Sequence, residues 1–473
     1  MDLFEHSDIL SVKTENTIGV RNPATQEILA YIKKKDKKAL EEIIYKASKA
    51  QKDWASTLAE ERADCLMCFY HLILSHKNTL AEIMTKEQGK PLCEAEGEII
   101  YAASFIKWFA EESRHICGDI MESKIKDQRL MTIKQPIGVC AAITPWNFPS
   151  AMITRKIAPA LASGCAIVVK SSSLTPLSAY ALELLARKAG IPKDIFVVVN
   201  GDSKEISDVL CESEIVRKLS FTGSTEVGAQ LYAKCARSIK KLSMELGGNA
   251  PFIVFNDANL EESVQGIMSS KFRNSGQTCV CANRIYVQSG IYEKLCEELK
   301  KSMQKLRVGN GLEIGINQGP LINQNALDKI KRHIDDALNK GAKLLSGGKE
   351  HSLGGTYFEP TLICDVNSSM LVAKEETFGP LASIFKFESE EEVIAMANDT
   401  EYGLAAYFFT QDYKRQWRVA EALEYGMVGI NTGLISNEIA PFGGIKHSGL
   451  GREGSKYGLE EYMELKYLCL NLK

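Results

Sequence analysis

Four short segments of this chain carry residue types that local structure alone does not require. Phe272-Arg273-Asn274-Ser275-Gly276-Gln277-Thr278-Cys279-Val280-Cys281 closes a helical pattern and leads into a strand. A thiol on a glycine-containing loop with flanking backbone N–H groups can become a nucleophilic thiolate, although a cysteine is more often inert. Met244-Glu245-Leu246-Gly247-Gly248-Asn249 delivers a carboxylate beside two glycines. Glycines let backbone approach a ligand closely, and a partly desolvated carboxylate can act as a base toward water. In Thr144-Pro145-Trp146-Asn147-Phe148-Pro149 two prolines stop a strand and hold a turn that displays the Asn147 amide as a donor. A rigid loop with a solvent-facing Asn is the plain alternative. Lys374-Glu375-Glu376-Thr377-Phe378-Gly379-Pro380 offers charge and an aromatic ring that suit a sugar hydroxyl and a flat ring, and an exposed loop explains it almost as well.

These segments need a scaffold that brings residues 147, 245, 279 and 376 together. Continuous apolar runs at Val139–Thr144, Ala166–Lys170, Ile195–Asn200, Lys218–Thr222 and Lys241–Glu245 alternate with helical stretches such as Leu177–Ala189 and Thr225–Ala236. That pattern implies a parallel sheet covered on both faces, with ligands at the carboxyl ends of its strands. A second series places strands at Pro251–Phe255, Arg284–Gln288, Ala382–Phe387, Ala405–Thr410 and Val428–Asn431, with helices at Leu260–Phe272, Tyr292–Leu306 and Ala326–Asn339. The first third reads as amphipathic helices at Lys37–Trp54, Ala59–His76 and Pro91–Ile116. Lys124–Gln135 and Glu461–Leu472 read as projecting strands that could pair with another subunit.

The chain has 473 residues, 45% hydrophobic and 25% charged, with 57 Lys plus Arg against 60 Asp plus Glu. This is an ordinary globular composition, and the net charge of -3 gives no basic surface for nucleic acid. No apolar run approaches the roughly 18 residues of a membrane span. The first ten residues hold Asp2, Glu5 and Asp8 without a signal pattern, and the 13 Cys show no disulfide spacing, so a reducing cytoplasmic compartment is expected.

Three matches are decoys. Cys65-Leu66-Met67-Cys68 has CxxC spacing but lies on a helical stripe with no second pair, and is read as buried structural cysteine. Gly449-Leu450-Gly451-Arg452-Glu453-Gly454 fits GxGxxG literally, yet only 19 residues follow it, so it is read as a glycine-rich turn. Asn367-Ser368-Ser369 fits a glycosylation sequon that means little without a secretory signal. The seven His show no metal-ligand grouping, and no metal is expected.

Taken in order, the Asn147 loop, Glu245, Cys279 and the Phe378 loop resemble the aldehyde dehydrogenase superfamily, from about Arg21-Asn22-Pro23-Ala24-Thr25 to Lys456-Tyr457-Gly458. Ile153-Thr154-Arg155-Lys156, Phe272-Arg273-Asn274, Cys279-Val280-Cys281 and Gly433-Leu434-Ile435-Ser436 are similar to its succinate-semialdehyde branch. The resemblance implies an α/β fold with two doubly wound parallel-sheet domains and a small β oligomerisation element. Residues 1–123 and 138–246 would bind the dinucleotide, and 247–448 would form the catalytic domain. Residues 124–137 and 449–473 would supply oligomerisation strands and tail. It also implies a homo-oligomer, dimer or tetramer, that oxidises a small semialdehyde.

Residue by residue, the resemblance makes Cys279 the nucleophile, and Asn147 with the Cys279 N–H the oxyanion donors. Glu245 becomes the base that activates water against the thioester. It assigns Glu376 to the nicotinamide ribose, Phe378 to its ring and Lys170 to the adenosine ribose. Gly223 and Ser224, which open the helix at Thr225, fall to the pyrophosphate. Thr144, Trp146, Gly228 and Leu246 complete that site. Arg155 and Arg273 would meet a distal substrate carboxylate, with Ser436 as a third donor, unless either Arg only pairs with a neighbouring Glu. NAD-using relatives usually carry Glu at the position of Ser173. A small neutral hydroxyl there favours NADP, with NAD possible. Ser171 replaces the usual Pro after Lys170, which leaves the loop's backbone open. Cys281, roughly 6–7 Å along an extended chain from Cys279, is a candidate for a strained, reducible bridge, or merely packs. The competing readings are oxidation of glutarate semialdehyde, one methylene longer, a CoA-acylating enzyme, which would not need Glu245, and a non-catalytic binding protein of the same fold.

Overall fold

The computed structural model describes residue 2 and residues 5–473. Strands Val139–Ile143 and Ala166–Lys170 are buried along their whole length. Such strands satisfy their backbone only in the middle of a sheet with both faces covered. They lie in a six-stranded sheet whose order is Gly449–Leu450, Lys241–Glu245, Val216–Thr222, Val139–Ile143, Ala166–Lys170, Phe196–Val199. Five strands are parallel, and Gly449–Leu450 adds an antiparallel edge through Met244 opposite Leu450. From Val139–Ile143 the chain winds outward through two strands, then returns to its other side at Val216–Thr222. The crevice at that switch point faces the carboxyl ends where Thr144, Lys170, Thr222 and Glu245 lie.

The second sheet has seven strands, ordered Lys343–Ser346, Thr361–Val366, Leu381–Phe387, Ala282–Gln288, Ala250–Val254, Ala405–Phe409, Met427–Ile430. Alternation along one strand feeds both of its faces: Phe252 and Val254 enter one apolar cluster, Ile253 and Phe255 the other. The strands at 343–346 and 361–366 were not visible in the sequence pattern. The first is an antiparallel edge whose register slips against the second, so neither burial nor alternation marks it cleanly.

The N-terminal third is less purely helical than its pattern suggests. Helices Lys37–Ser56, Ala59–Ser75 and Leu92–Glu112 are joined by a fourth at Lys77–Gln88, and a three-stranded sheet of Ile9–Leu10, Ile28–Lys33 and Thr17–Arg21 precedes them. Residues 9–246 share one core with Leu459, Tyr462 and Met463. The projecting strands pair with each other: Gln128–Pro136 runs antiparallel to Met463–Asn471 over nine residue pairs, from Pro136 opposite Met463 to Gln128 opposite Asn471. Met463–Asn471 is the edge of its three-stranded sheet, and Leu465, Tyr467 and Leu470 on it are exposed. No helix among the described residues is long and apolar enough to cross a membrane.

The CxxC expectation is corrected. Cys65 is half-buried and Cys68 exposed, while Leu66 and Phe69 fill the core face of their helix. The glycine-rich match at 449–454 is a strand edge followed by a turn, with Gly454 at φ 70° opening a short helix.

Candidate active site

The loop before Cys279 is wound through three consecutive left-handed residues, Asn274 (φ 52°), Ser275 (φ 56°) and Gly276 (φ 73°). Two of them are not glycine, and such a run persists only where the surroundings hold it. Glu94 Oε2 accepts from Asn274 N–H at 2.7 Å, Gln88 Nε2 donates to Asn274 Oδ1 at 2.9 Å, and Ser275 Oγ donates to Gly319 O at 3.0 Å. At Gly276 a Cβ would stand 2.2 Å from Gly379 O, so glycine is required. The loop therefore presents Cys279 in one fixed place.

Asn147 is buried beside it. Its Nδ2 donates to Gln277 O at 3.1 Å, which leaves a second amide hydrogen, and the Cys279 N–H has no intrachain acceptor among the described residues. The Asn147 carbonyl is gripped by Lys90 Nζ at 2.8 Å and Asn274 Nδ2 at 2.9 Å. Lys90 is itself paired at 2.5 Å with Glu98, whose other oxygen accepts from Ser150 and Ala151 N–H at the start of helix Ala151–Ala162. Sequence reasoning missed this buried Lys90–Glu98 pair. Its only signal was two charges on the apolar face of a helix and its lead-in.

Cys279, Met152, Arg155 and Phe442 line both of two adjoining cavities, one of about 280 Å³ and one of about 360 Å³. Burial, together with the negative charges of Glu376 and Glu245, pushes the Cys279 thiol up to about 12 against the pull of Arg155 and Arg273. At rest it is a thiol and needs a base to react. Glu245 lines the larger cavity, with Oε2 buried and lacking a hydrogen-bond partner. Burial and repulsion from Glu453 hold its carboxyl well above the usual carboxylate range, opposed by Lys156, Arg155 and Arg452. Glu453 is a buried anion held by both Arg155, at 3.3 Å, and Lys156. It lies inside the glycine-rich decoy, and nothing in the sequence linked it to Glu245.

The two arginines differ. Arg155 is wholly buried: Nη1 is paired with Glu453, Nη2 donates to Tyr101 Oη at 2.9 Å, and the Phe442 ring lies 4.5 Å away. The pairing alternative thus holds for it, although its Nε has no partner and it lines both cavities. Arg273 makes no ion pair among the described residues, its Nε is buried and unpartnered, and it lines the smaller cavity with Ser436, Tyr101 and Thr278. Glu94 and Arg273 also border an outer cavity of about 920 Å³, so the smaller one continues outward past them. Cys281 is buried, with its thiol donating to Lys271 O at 3.3 Å, and must give up that contact before it can reach Cys279.

The larger cavity is lined by Trp146, Asn147, Gly223, Ser224, Leu246, Glu376 and Phe378 among others. Thr222 on that wall, and Thr144 just behind it at the end of the adjacent parallel strand, carry buried hydroxyls without partners. A nicotinamide dinucleotide fits this edge: orphaned hydroxyls, a helix N-terminus capped by Ser224 and an aromatic pair, Trp146 and Phe378, 5.7 Å apart. Gly228 stands behind the cavity wall and backs Leu246, whose Cδ2 a Cβ would meet at 2.4 Å. Lys170 is buried at the end of its strand and Ser173 half-buried in the following turn, both outside the cavity wall.

Two α/β sheets thus meet at a buried thiol that stands between two cavities. The aldehyde dehydrogenase family profile matches residues 10–468, and the chain belongs to that family. A glutarate-semialdehyde dehydrogenase of Pseudomonas aeruginosa is 60% identical over 96% of this chain and 94% of its own length. An Escherichia coli succinate-semialdehyde dehydrogenase named for NADP(+) is 56% identical over 98% of this chain and 96% of its own. The crystal structure of an E. coli NADP-dependent enzyme superposes with a TM-score of 0.97 at 55% identity, covering 99% of this chain and 98% of that one.

Proposed function

We propose that this aldehyde dehydrogenase oxidises succinate semialdehyde to succinate in the cytoplasm as a homo-oligomer, with NADP favoured over NAD. The observation that carries the substrate class is Arg273, a cation with a buried, unpartnered Nε on the wall of the cavity that ends at Cys279. An uncharged aldehyde gives such a group nothing to bind, whereas a distal carboxylate does. Ser436 adds a donor on the same wall.

Cys279 gives up its proton, to Glu245 or to water in the cavity, and attacks the aldehyde carbon, and Asn147 Nδ2–H and the Cys279 N–H receive the oxyanion. A bound nicotinamide would supply the hydride acceptor, and loss of hydride from the Cys279 adduct leaves an acyl thioester. Glu245 takes a proton from water, which attacks the thioester and frees succinate and the thiol. Glu376, Phe378, Trp146, Thr144, Leu246, Gly223 and Ser224 would hold the nicotinamide half and the phosphates, and Lys170 and Ser173 the adenosine end. The bare edge of Met463–Asn471, with Leu465 and Tyr467 exposed, supports association of copies through that strand.

Purified protein supplied with succinate semialdehyde, glutarate semialdehyde or butanal tests the reading. The highest kcat/KM is expected for succinate semialdehyde. Glutarate semialdehyde is the second reading, favoured by the Pseudomonas relative's name, and the two substrates differ by one methylene, worth about 1–3 kcal/mol. A higher value for butanal than for either acid would remove the carboxylate reading. Arg273→Ala is expected to lower kcat/KM for succinate semialdehyde by roughly 30-fold and for butanal by less than about threefold, through loss of one charge-assisted contact. Arg155→Ala is expected to impair both substrates, because it also releases Glu453.

Cofactor choice rests on Ser173. Its neutral hydroxyl leaves room for a 2′-phosphate that a carboxylate would repel, and Lys170 precedes it with a positive charge. NADP is expected to exceed NAD in kcat/KM by at least about tenfold, near 1.4 kcal/mol, and Ser173→Glu to reverse the order. Equal use of both by the parent enzyme would assign the choice to another residue.

A further inference from the structure

The segment that carries Glu376 and Phe378 is pinned from two directions. On one side Asn283 Nδ2 donates to Glu375 O at 3.1 Å, and Asn283 Oδ1 accepts from Thr377 N–H at 3.1 Å. On the other, helix Gln324–Asn339 lays a wholly buried His333 against it. His333 Nε2 meets Glu375 Oε2 at 3.1 Å and His333 Nδ1 meets Thr377 Oγ1 at 3.1 Å, so one ring spans the two neighbours of Glu376. Asn283 fixes backbone and His333 fixes side chains. Phe378 then follows at φ 57°, a left-handed conformation that an aromatic residue keeps only when its flanks are held.

The proton positions follow from the partners. Burial would raise the Glu375 carboxyl, but the His333 hydrogen bond and the charges of Arg332 and Lys329 outweigh it and keep it ionised. An ionised carboxylate only accepts, so Nε2 carries the proton, and the neutral ring accepts the Thr377 hydroxyl at Nδ1. The same helix brings Asn323, Ala326 and Lys329 to the wall of the larger cavity, which Thr377 also lines. His333 thus ties the helix on one side of that cavity to the loop on another.

We infer that His333 is a positioning residue for the nicotinamide half of the dinucleotide site, setting where Glu376 and Phe378 stand without touching the ligand itself. The inference rests on the assignment of Glu376 and Phe378 to the dinucleotide made above. The test is steady-state kinetics of His333→Ala, varying dinucleotide at saturating aldehyde and then the reverse. Loss of a hydrogen bond to a charged group is expected to raise KM for the dinucleotide about tenfold, with KM for the aldehyde within about twofold. His333→Gln, whose amide offers a donor and an acceptor of similar spacing, is expected to restore the dinucleotide KM to within about threefold of the parent. Glu375→Ala, at the partly exposed end of the chain of bonds, should move the same constant in the same direction and serves where His333→Ala does not fold. Glu376→Gln run in parallel separates the two ways to fail. If it leaves the dinucleotide KM unchanged, the assignment of the loop is wrong. If it raises that KM while His333→Ala and Glu375→Ala do not, or raise both KM values equally, the role of His333 is overturned.

Discussion

Cys279→Ala is expected to lower the rate of aldehyde oxidation by at least about ten-thousand-fold while dinucleotide affinity stays within about twofold of the parent. The nucleophile stands where the two cavities meet, and it contributes no hydrogen bond that holds the Asn274–Gly276 loop, which depends on Glu94, Gln88 and Gly319. Removing one sulfur therefore deletes the bond-forming group and leaves both walls in place. Initial-rate assays with succinate semialdehyde, combined with equilibrium binding of the dinucleotide followed by protein fluorescence, read the two effects separately. Residual turnover above about one per cent of the parent would move the nucleophile elsewhere, and lost dinucleotide binding would mean that the thiol supports the fold.

What the sequence disclosed depended on how local each signal was. Val139–Ile143 and Ala166–Lys170 were legible because strands buried on both faces must be apolar along nearly their whole length. Asn147, Glu245 and Cys279 stood out because prolines, glycines and a loop thiol are costly without a reason. Thr17–Arg21 and Ile28–Lys33 escaped because they are half-exposed and short, and hydrophobic alternation fades there. Partnership was invisible throughout. Arg155 and Glu453 are 298 positions apart, and Lys90 and Asn147 are 57 apart, so no spacing rule connects them.

Glu245→Gln separates the two halves of the reaction. Acylation of Cys279 and hydride release need the oxyanion donors and a thiolate, whose proton can also leave to water in the cavity, whereas hydrolysis of the thioester needs a base held against the attacking water. A Gln keeps the shape of the side chain and cannot take the proton. The expected trace is a burst of reduced dinucleotide close to one equivalent per site, followed by steady turnover about 100-fold below the parent, within the usual range for loss of a general base. The parent's pH profile follows from the same carboxyl. Burial and Glu453 raise it above the ordinary carboxylate range, so it is protonated and inactive as a base at low pH and gains activity as it ionises. Steady-state turnover of the parent is thus expected to climb with pH along a limb set well above that of a free carboxylate. In Glu245→Gln that limb should vanish from the slow phase. The nearby Glu453 makes the assignment discriminating: Glu453→Gln removes a repelling anion and leaves Arg155 and Lys156 to favour the charged form, so the acid limb should move to lower pH. A Glu245→Gln enzyme with no burst and undiminished steady turnover would take Glu245 out of the deacylation step. An acid limb that stays in place in Glu453→Gln would show that a different group carries it.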